Sequence, residues 1–321
     1  MNTLILNDRQ DAGEISQHAD TFFSIIPGMD NPLSVPELQS ETLDEATFMR
    51  KWVAKNRPCV VRGAVRHWPA VARWGDKDYW LERCDNFDVK AYPHQNFITP
   101  KLQHIGLEQI PFHSAMERLF ANRDYIFSIP GQKIMKGARF EKVEEDVPGF
   151  TFLPSPAMPR WYERMRFFAY RRAGTHWHYH GIDETLMCQV KGSKKVGLLS
   201  PRIPKIREVT RFLQDESYLG GEYLDTSLRL NPYIVDVEEG DALYIPPYWH
   251  HVVVPNDGEV GFTVAFCWKS PLHILGNFSN FMVRNVYRQG MWPFNYNTLL
   301  LPFIGCYAGL LYLTKKATGQ I

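Results

Sequence analysis

Thr175-His176-Trp177-His178-Tyr179-His180 places a histidine at every second position, and about seventy residues downstream Ala242-Leu243-Tyr244-Ile245-Pro246-Pro247 leads into Tyr248-Trp249-His250-His251. Side chains of an extended strand alternate between its faces, so residues two apart project to the same side. The pleat therefore predicts one shared face for His176, His178 and His180. Five of the eleven histidines lie in these two short stretches. Imidazole is the commonest metal-binding side chain, and a mononuclear site needs donors converging from strands distant in sequence. The two clusters together point to a metal centre held between strands.

The flanking sequence supports a β architecture. Met165-Arg166-Phe167-Phe168-Ala169-Tyr170 reads as a strand that enters the histidine run through Ala173-Gly174. Residues 186–190 and 195–199 flank Lys191-Gly192-Ser193, a natural hairpin turn. Strands are also predicted at 233–237, at 242–245 after a turn at Glu239-Gly240-Asp241, and at 260–268. Many short strands separated by turns indicate a sandwich or barrel. Upstream, Thr42-Leu43-Asp44-Glu45 has the capping-box pattern, and Phe48, Met49, Trp52 and Val53 follow with helical spacing. Arg57-Pro58 ends that helix, and Cys59-Val60-Val61-Arg62 is a short strand closed by Gly63. Residues 64–160 carry Trp68, Trp74 and Trp80, a helix predicted at 112–122, and Pro-Gly connections whose order the pattern leaves open.

The expected division is an N-terminal arm over 1–39, a central domain over 40–272 and a helical C-terminal segment over 273–321. Residues 299–313 form an apolar run interrupted by Pro302, Gly305 and Gly309, whereas a bilayer crossing needs roughly 20 residues. The run is read as a buried helix or the interface of a homodimer, with membrane contact as the alternative that Lys315-Lys316 leaves open.

Composition narrows the class. Thirty-six Lys+Arg against thirty-five Asp+Glu give a formal charge of +1, so no overall field favours nucleic acid or an anionic membrane. Cys59, Cys84, Cys188, Cys267 and Cys306 are odd in number and contain no CxxC, which argues against a disulfide framework and a cysteine zinc site. The first residues turn polar too soon for a signal peptide, so a cytoplasmic location is expected.

His178 and His180 on one strand and His251 on another supply three donors, which leaves coordination positions open as a catalytic metal requires. Asp183 and Glu184 are alternatives for a carboxylate donor, and Glu184 has the even spacing from His178 that favours the same face. His176 either joins the site or lines its mouth, and His250, adjacent to His251, belongs on the opposite face. His67, His94, His104, His113 and His273 are read as surface or hydrogen-bonded core residues, and Trp177, Tyr179, Tyr248 and Trp249 as packing. Lys194 begins a strand after the Gly192 turn, where a buried lysine can pair with the carboxylate of an organic acid; the alternative is a solvated hairpin lysine, as Lys191 and Lys195 are read. Thr175, three residues before His178, can offer a hydroxyl to the same acid or is an ordinary strand threonine.

At these residues the chain resembles the cupin-like branch of the jumonji C superfamily, the Fe(II)- and 2-oxoglutarate-dependent oxygenases that include protein asparaginyl hydroxylases and a wybutosine tRNA hydroxylase. Asn56-Arg57-Pro58-Cys59-Val60-Val61-Arg62-Gly63-Ala64 with Trp68-Pro69 looks like the family's N-terminal strand. Residues 175–181 are similar to its metal-binding strand and 189–196 to its hairpin, and 240–251 closely match its distal histidine strand. The resemblance covers about residues 40–272. It implies a double-stranded β-helix, a jelly roll, with N-terminal helices and a C-terminal helical segment. It implies His178 and His251 as metal ligands, Lys194 and Thr175 as partners of 2-oxoglutarate, and Fe(II) as the metal. The chain departs from the pattern at His180, where the family has its ligand aspartate, and at Glu184 or Thr185 and Ala265, where asparagines are common. A hydroxylase of a protein side chain, a metabolite or a modified nucleotide is therefore the leading expectation. Its rivals are a cupin-type metal protein that does not use 2-oxoglutarate, with Glu184 as a further ligand, and a catalytically silent binding protein.

Overall fold

Strands form where the sequence alternates or runs apolar, and the Gly, Pro and Asp clusters between them become turns. The computed structural model describes residues 22–93, 97–98, 106–121, 125–290 and 300–321. Its strands are β1 (Leu33–Ser34), β2 (Glu37–Gln39), β3 (Cys59–Arg62), β4 (Asp88–Pro93), β5 (Phe97–Ile98), β6 (Glu108–Pro111), β7 (Phe127–Lys133), β8 (Met165–Arg171), β9 (Gly174–His178), β10 (Asp183–Lys191), β11 (Lys194–Leu199), β12 (Tyr233–Val237), β13 (Ala242–Ile245), β14 (His250–Pro255) and β15 (Val260–Lys269). Among the described residues they build a six-stranded sheet, ordered β1-β12-β11-β14-β9-β5, and a nine-stranded sheet, ordered β2-β3-β13-β10-β15-β8-β7-β4-β6. Pairing across both sheets is antiparallel except at β1–β12, β2–β3 and β5–β9. The fold is the expected jelly roll with helices toward both ends.

The helices are α1 (Glu45–Phe48), α2 (Pro69–Arg73), α3 (Lys77–Arg83), α4 (Phe112–Ala121), α5 (Ile206–Gln214), α6 (Phe281–Gly290) and α7 (Leu301–Ala317). The cap of α1 differs from the capping-box reading. Thr42 lies in the 3-10 turn Ser40–Thr42, and Asp44 caps the helix by accepting a 2.8 Å bond from the Thr47 amide. Asp44 lies one residue before the first helical amides, where a short acidic side chain satisfies a free N–H. The helix then runs on as a π-helical turn, Met49–Val53.

The largest apolar cluster lies between the nine-stranded sheet and the N-terminal helices. There the Trp80 ring stacks on Phe262 at 5.1 Å and meets Trp74 at 4.9 Å, and such pairs contribute about 0.5–1.5 kcal/mol beyond their buried area. Buried Asp146 is satisfied by Arg73 at 2.7 Å, by the Trp74 indole at 3.0 Å and by the Tyr79 hydroxyl. A second cluster, with Val60, Met187, Leu243 and Ile245 from one sheet and Val196, Leu198, Val235 and Val253 from the other, fills one end of the space between the sheets. The cavity described below occupies another part of that space.

At the C-terminus, α7 packs against the turn Leu272–Gly276. A Cβ on Gly276 would lie 1.9 Å from the Ala308 carbonyl oxygen, so only glycine permits this approach. The outward side of α7 exposes Phe303, Tyr307, Leu310 and Leu313. No helix among the described residues is long and apolar enough to cross a membrane.

Candidate metal centre

His178 is the last residue of β9, and its register partner on β14 is His251. Between the pairs His178↔His251 and Thr175↔Val253 the β9 strand carries one extra residue. This bulge corrects the simple alternation read from the sequence. The side chains that enter the cavity stand three positions apart rather than two, so Thr175 and His178 line it while buried His176 does not.

His180 follows after the strand has ended, and its position comes from an anchor rather than from the pleat. Its carbonyl accepts the Tyr248 amide at 2.8 Å. Tyr248 holds a left-handed φ of 69°, unusual for a bulky residue, in the turn that launches β14. The same turn thus fixes both His180 and His251.

The ring centroids lie 4.1 Å apart for His178 and His251, 4.9 Å for His180 and His251, and 5.2 Å for His178 and His180. One donor atom from each ring falls within 4.8 Å of the other two. Their tautomers are set by neighbours. His178 Nδ1 lies 2.8 Å from the His176 carbonyl, and His251 Nδ1 lies 3.1 Å from the Trp249 carbonyl. A carbonyl only accepts, so each Nδ1 carries the proton and each Nε2 keeps its lone pair. Desolvation holds His178 at about 4 and pushes His180 and His251 well below the ordinary imidazole range. All three are neutral donors at physiological pH, the form a metal ion requires.

Neither nearby carboxylate joins them. Asp183 accepts the backbone amides of Arg160, Trp161 and Tyr162 at 2.7–3.2 Å, which folds that loop over the site. Glu184 accepts the Tyr244 hydroxyl at 2.5 Å and the Ser270 hydroxyl at 2.6 Å on the other side of the sheet from Thr185. The even spacing from His178 misleads because the chain leaves one sheet at His178 and enters another at Asp183. Burial raises the Glu184 carboxyl to about 7 against the pull of its two hydroxyl donors.

The cavity beside the triad has a volume of about 280 Å³. Lys194 and Thr175 both line it. Lys194 is buried, desolvation lowers its ammonium to about 7, and its Nζ sits 3.8 Å from the centre of the Tyr170 ring. Tyr170 is held by a bond from Gln189 at 2.7 Å, and Thr263 donates to the Gln189 carbonyl at 2.9 Å. Ile129, Phe168, Met187, Ile245 and Val253 supply an apolar wall.

The remaining aromatic and histidine residues have structural partners. Trp177 donates to the Phe22 carbonyl at 2.7 Å and Trp249 to the Asn56 side chain at 3.1 Å, while Tyr179 packs on His250 at 5.0 Å. His67, His113 and His273 meet backbone carbonyls of Gly149, Cys84 and Ala54. His94 and His104 lie outside the described residues. Arg166, Tyr162 and Tyr170 were not singled out from the sequence. The available signal was the alternation Arg166, Phe168, Tyr170, which puts a cation on one strand face with two aromatic rings.

A histidine triad, two members on strands and one just beyond a strand end, opening into a cavity with a buried lysine agrees with the comparison to known proteins, in which residues 45–211 match the model of the cupin-like domain. The chain belongs to the cupin-like family of jumonji C oxygenases. This cupin-like protein is similar to Jumonji C domain-containing protein 5 of Drosophila melanogaster, with 23% identity over 73% of this chain and 60% of that protein. It is 25% identical to tRNA wybutosine-synthesizing protein 5 of Gallus gallus over 73% of this chain and 78% of the relative. Lysine-specific demethylase JMJ30 of Arabidopsis thaliana is 24% identical over 70% of the chain and 52% of its own length. The cupin-like chain thus spans from about half to about four-fifths of the length of these three relatives. At the level of the family, this is a metal-dependent oxygenase fold.

Proposed function

We propose that the chain is an Fe(II)- and 2-oxoglutarate-dependent hydroxylase in which His178, His180 and His251 hold the metal and Lys194 and Thr175 hold the distal carboxylate of 2-oxoglutarate. The observation that carries this reading is the convergence of three neutral imidazole donors at one side of a cavity that also contains a buried ammonium. The donor set suits a divalent first-row metal, and three protein ligands leave positions for small molecules. When bound, the ferrous ion would supply dioxygen activation, with O2 as the oxidant: one oxygen atom would enter the C–H bond and the other would enter 2-oxoglutarate, which would leave as succinate and CO2.

The chain's own residues do the positioning. A carboxylate arriving at Lys194 restores the charge balance that burial has taken from the ammonium, which favours its charged form. Thr175, one strand position beyond the bulge, adds a hydroxyl donor. Gln189 and Thr263 keep the Tyr170 ring under the ammonium. The apolar wall limits water around the reacting carbon.

Incubation of the iron-loaded protein with 2-oxoglutarate and oxygen tests this reading. The expected result is oxygen-dependent succinate formation that His251→Ala abolishes. One observation favours a second reading, a cupin-type metal protein that does not turn over 2-oxoglutarate. The third donor is an imidazole, so the site lacks the negative charge that balances a ferrous ion and stabilises higher oxidation states. Bound metal without succinate release under any substrate condition would support that second reading.

A further inference from the structure

Among the described residues, the cavity walls contain two cationic side chains, Lys194 and Arg166, and no Asp or Glu. Lys194 is accounted for by the cosubstrate. Arg166 is not.

Arg166, Phe168 and Tyr170 lie on the same face of β8, opposite Ala265, Thr263 and Gly261 of β15. Lys194 rests on Tyr170, four residues along the strand from Arg166, a separation of about 13 Å between backbone positions. The Arg166 guanidinium carbon lies over two rings, 5.1 Å from the Tyr162 centroid and 5.9 Å from that of Phe168. Tyr162 in turn packs on His180 at 5.6 Å. The second cation is therefore held beside the histidine triad, at the other end of the strand from the first.

Its charge is poorly compensated. The Nε atom is buried without a hydrogen-bond partner among the described residues. The thiol of Cys267 is a polar neighbour. Glu163 is close enough to feel the guanidinium, but its carboxylate is paired with Lys133 at 2.6 Å and does not line the cavity. A guanidinium fixed by stacking and lacking an anion is a preorganised partner for a planar carboxylate. The surrounding apolar wall fits a hydrocarbon body on that acid.

We infer that the primary substrate is a carboxylic acid with an apolar body, whose carboxylate is held by Arg166 while its body lies against Phe168 and Met187 beside the triad. The inference rests on the hydroxylase reading for its chemistry, and it concerns recognition at a different side chain from those that hold metal or cosubstrate. It also gives the site a source of negative charge where three neutral imidazoles supply none.

Ligand-observed NMR on protein loaded anaerobically with Zn(II) and 2-oxoglutarate tests it. The probes are benzoate, phenylacetate and 3-phenylpropionate, each beside its primary amide. At least one acid is expected to bind about tenfold or more tightly than its amide. Arg166→Gln should remove that preference while leaving amide binding, zinc content and 2-oxoglutarate affinity unchanged, and Arg166→Lys should restore part of it. The inference is overturned if no acid outbinds its amide, or if Arg166→Gln leaves the preference in place. A wild-type protein that takes up neither zinc nor 2-oxoglutarate would instead count against the hydroxylase reading, and the acid–amide contrast would still report on Arg166 in the metal-free protein.

Discussion

Lys194 Nζ stands 3.8 Å above the centre of the Tyr170 ring, so the buried cation of the cavity rests on an aromatic face. Quadrupole attraction offsets part of the desolvation that lowers the ammonium to about 7.

Lys194→Met should therefore separate stability from ligand binding. The folded-state value lies below the ordinary lysine value of 10.5, so the lysine's contribution is fully present above that value and is lost as pH falls toward 7. Methionine does not titrate, and the ligand-free variant should be more stable than wild type at pH 7 by about 1–3 kcal/mol. Its 2-oxoglutarate affinity should fall at least about tenfold with metal content unchanged. Chemical denaturation and calorimetric titration read the two effects.

Glu184→Gln carries the opposite sign. Its carboxyl is raised to about 7, mainly by burial, so its stabilising contribution is complete below 4.5 and fades as pH rises toward 7. Glutamine resembles the protonated acid toward Tyr244 and Ser270. The variant should lose the stability decline between pH 4.5 and 7 that comes from this group and exceed wild type at pH 8 by about 1–3 kcal/mol. Thermal unfolding at pH 5 and pH 8 checks this.

The positions of His178, His251, Lys194 and Thr175 were legible because each sits on or beside a strand with strong apolar or histidine patterning and clear turn residues nearby. The hairpin at Gly192 is an example, with a left-handed φ of 74° that the glycine supplies readily. What was not legible came from irregular backbone. A bulge in β9 kept His176 off the cavity wall although it stands two positions from His178, and the break between His178 and Asp183 sent Glu184 to the opposite side of the sheet. Strand counting has no term for either event. The order of residues 64–160 stayed open because its tryptophans are recruited by a distant strand, as Trp80 is by Phe262.

Gly261→Ala tests how tightly the lysine's support is built. An added Cβ would lie 2.0 Å from the Tyr170 ring, which has to move. A loss of about 1–3 kcal/mol in stability is expected, together with weaker 2-oxoglutarate binding through displacement of Lys194. Denaturant titration alongside calorimetry measures both.

Pairing of α7 with a second copy is the occupant the sequence suggested for its apolar face. Phe303 is 74% exposed and Leu310 64% exposed, and burying both at a dimer interface would remove substantial apolar area from water. The double variant Phe303→Glu, Leu310→Glu should then sediment as a monomer where wild type sediments as a dimer. A monomeric wild type at micromolar concentration would contradict this assignment.

Metal content tests the central claim most directly. Protein reconstituted anaerobically with Fe(II) and freed of excess should carry about one ion per chain, as a single three-donor site requires. His178→Ala, His180→Ala and His251→Ala should each lose most of it, whereas Asp183→Asn and Glu184→Gln should keep it. Full iron occupancy in the three histidine variants, or its loss only when Glu184 is changed, would contradict the account.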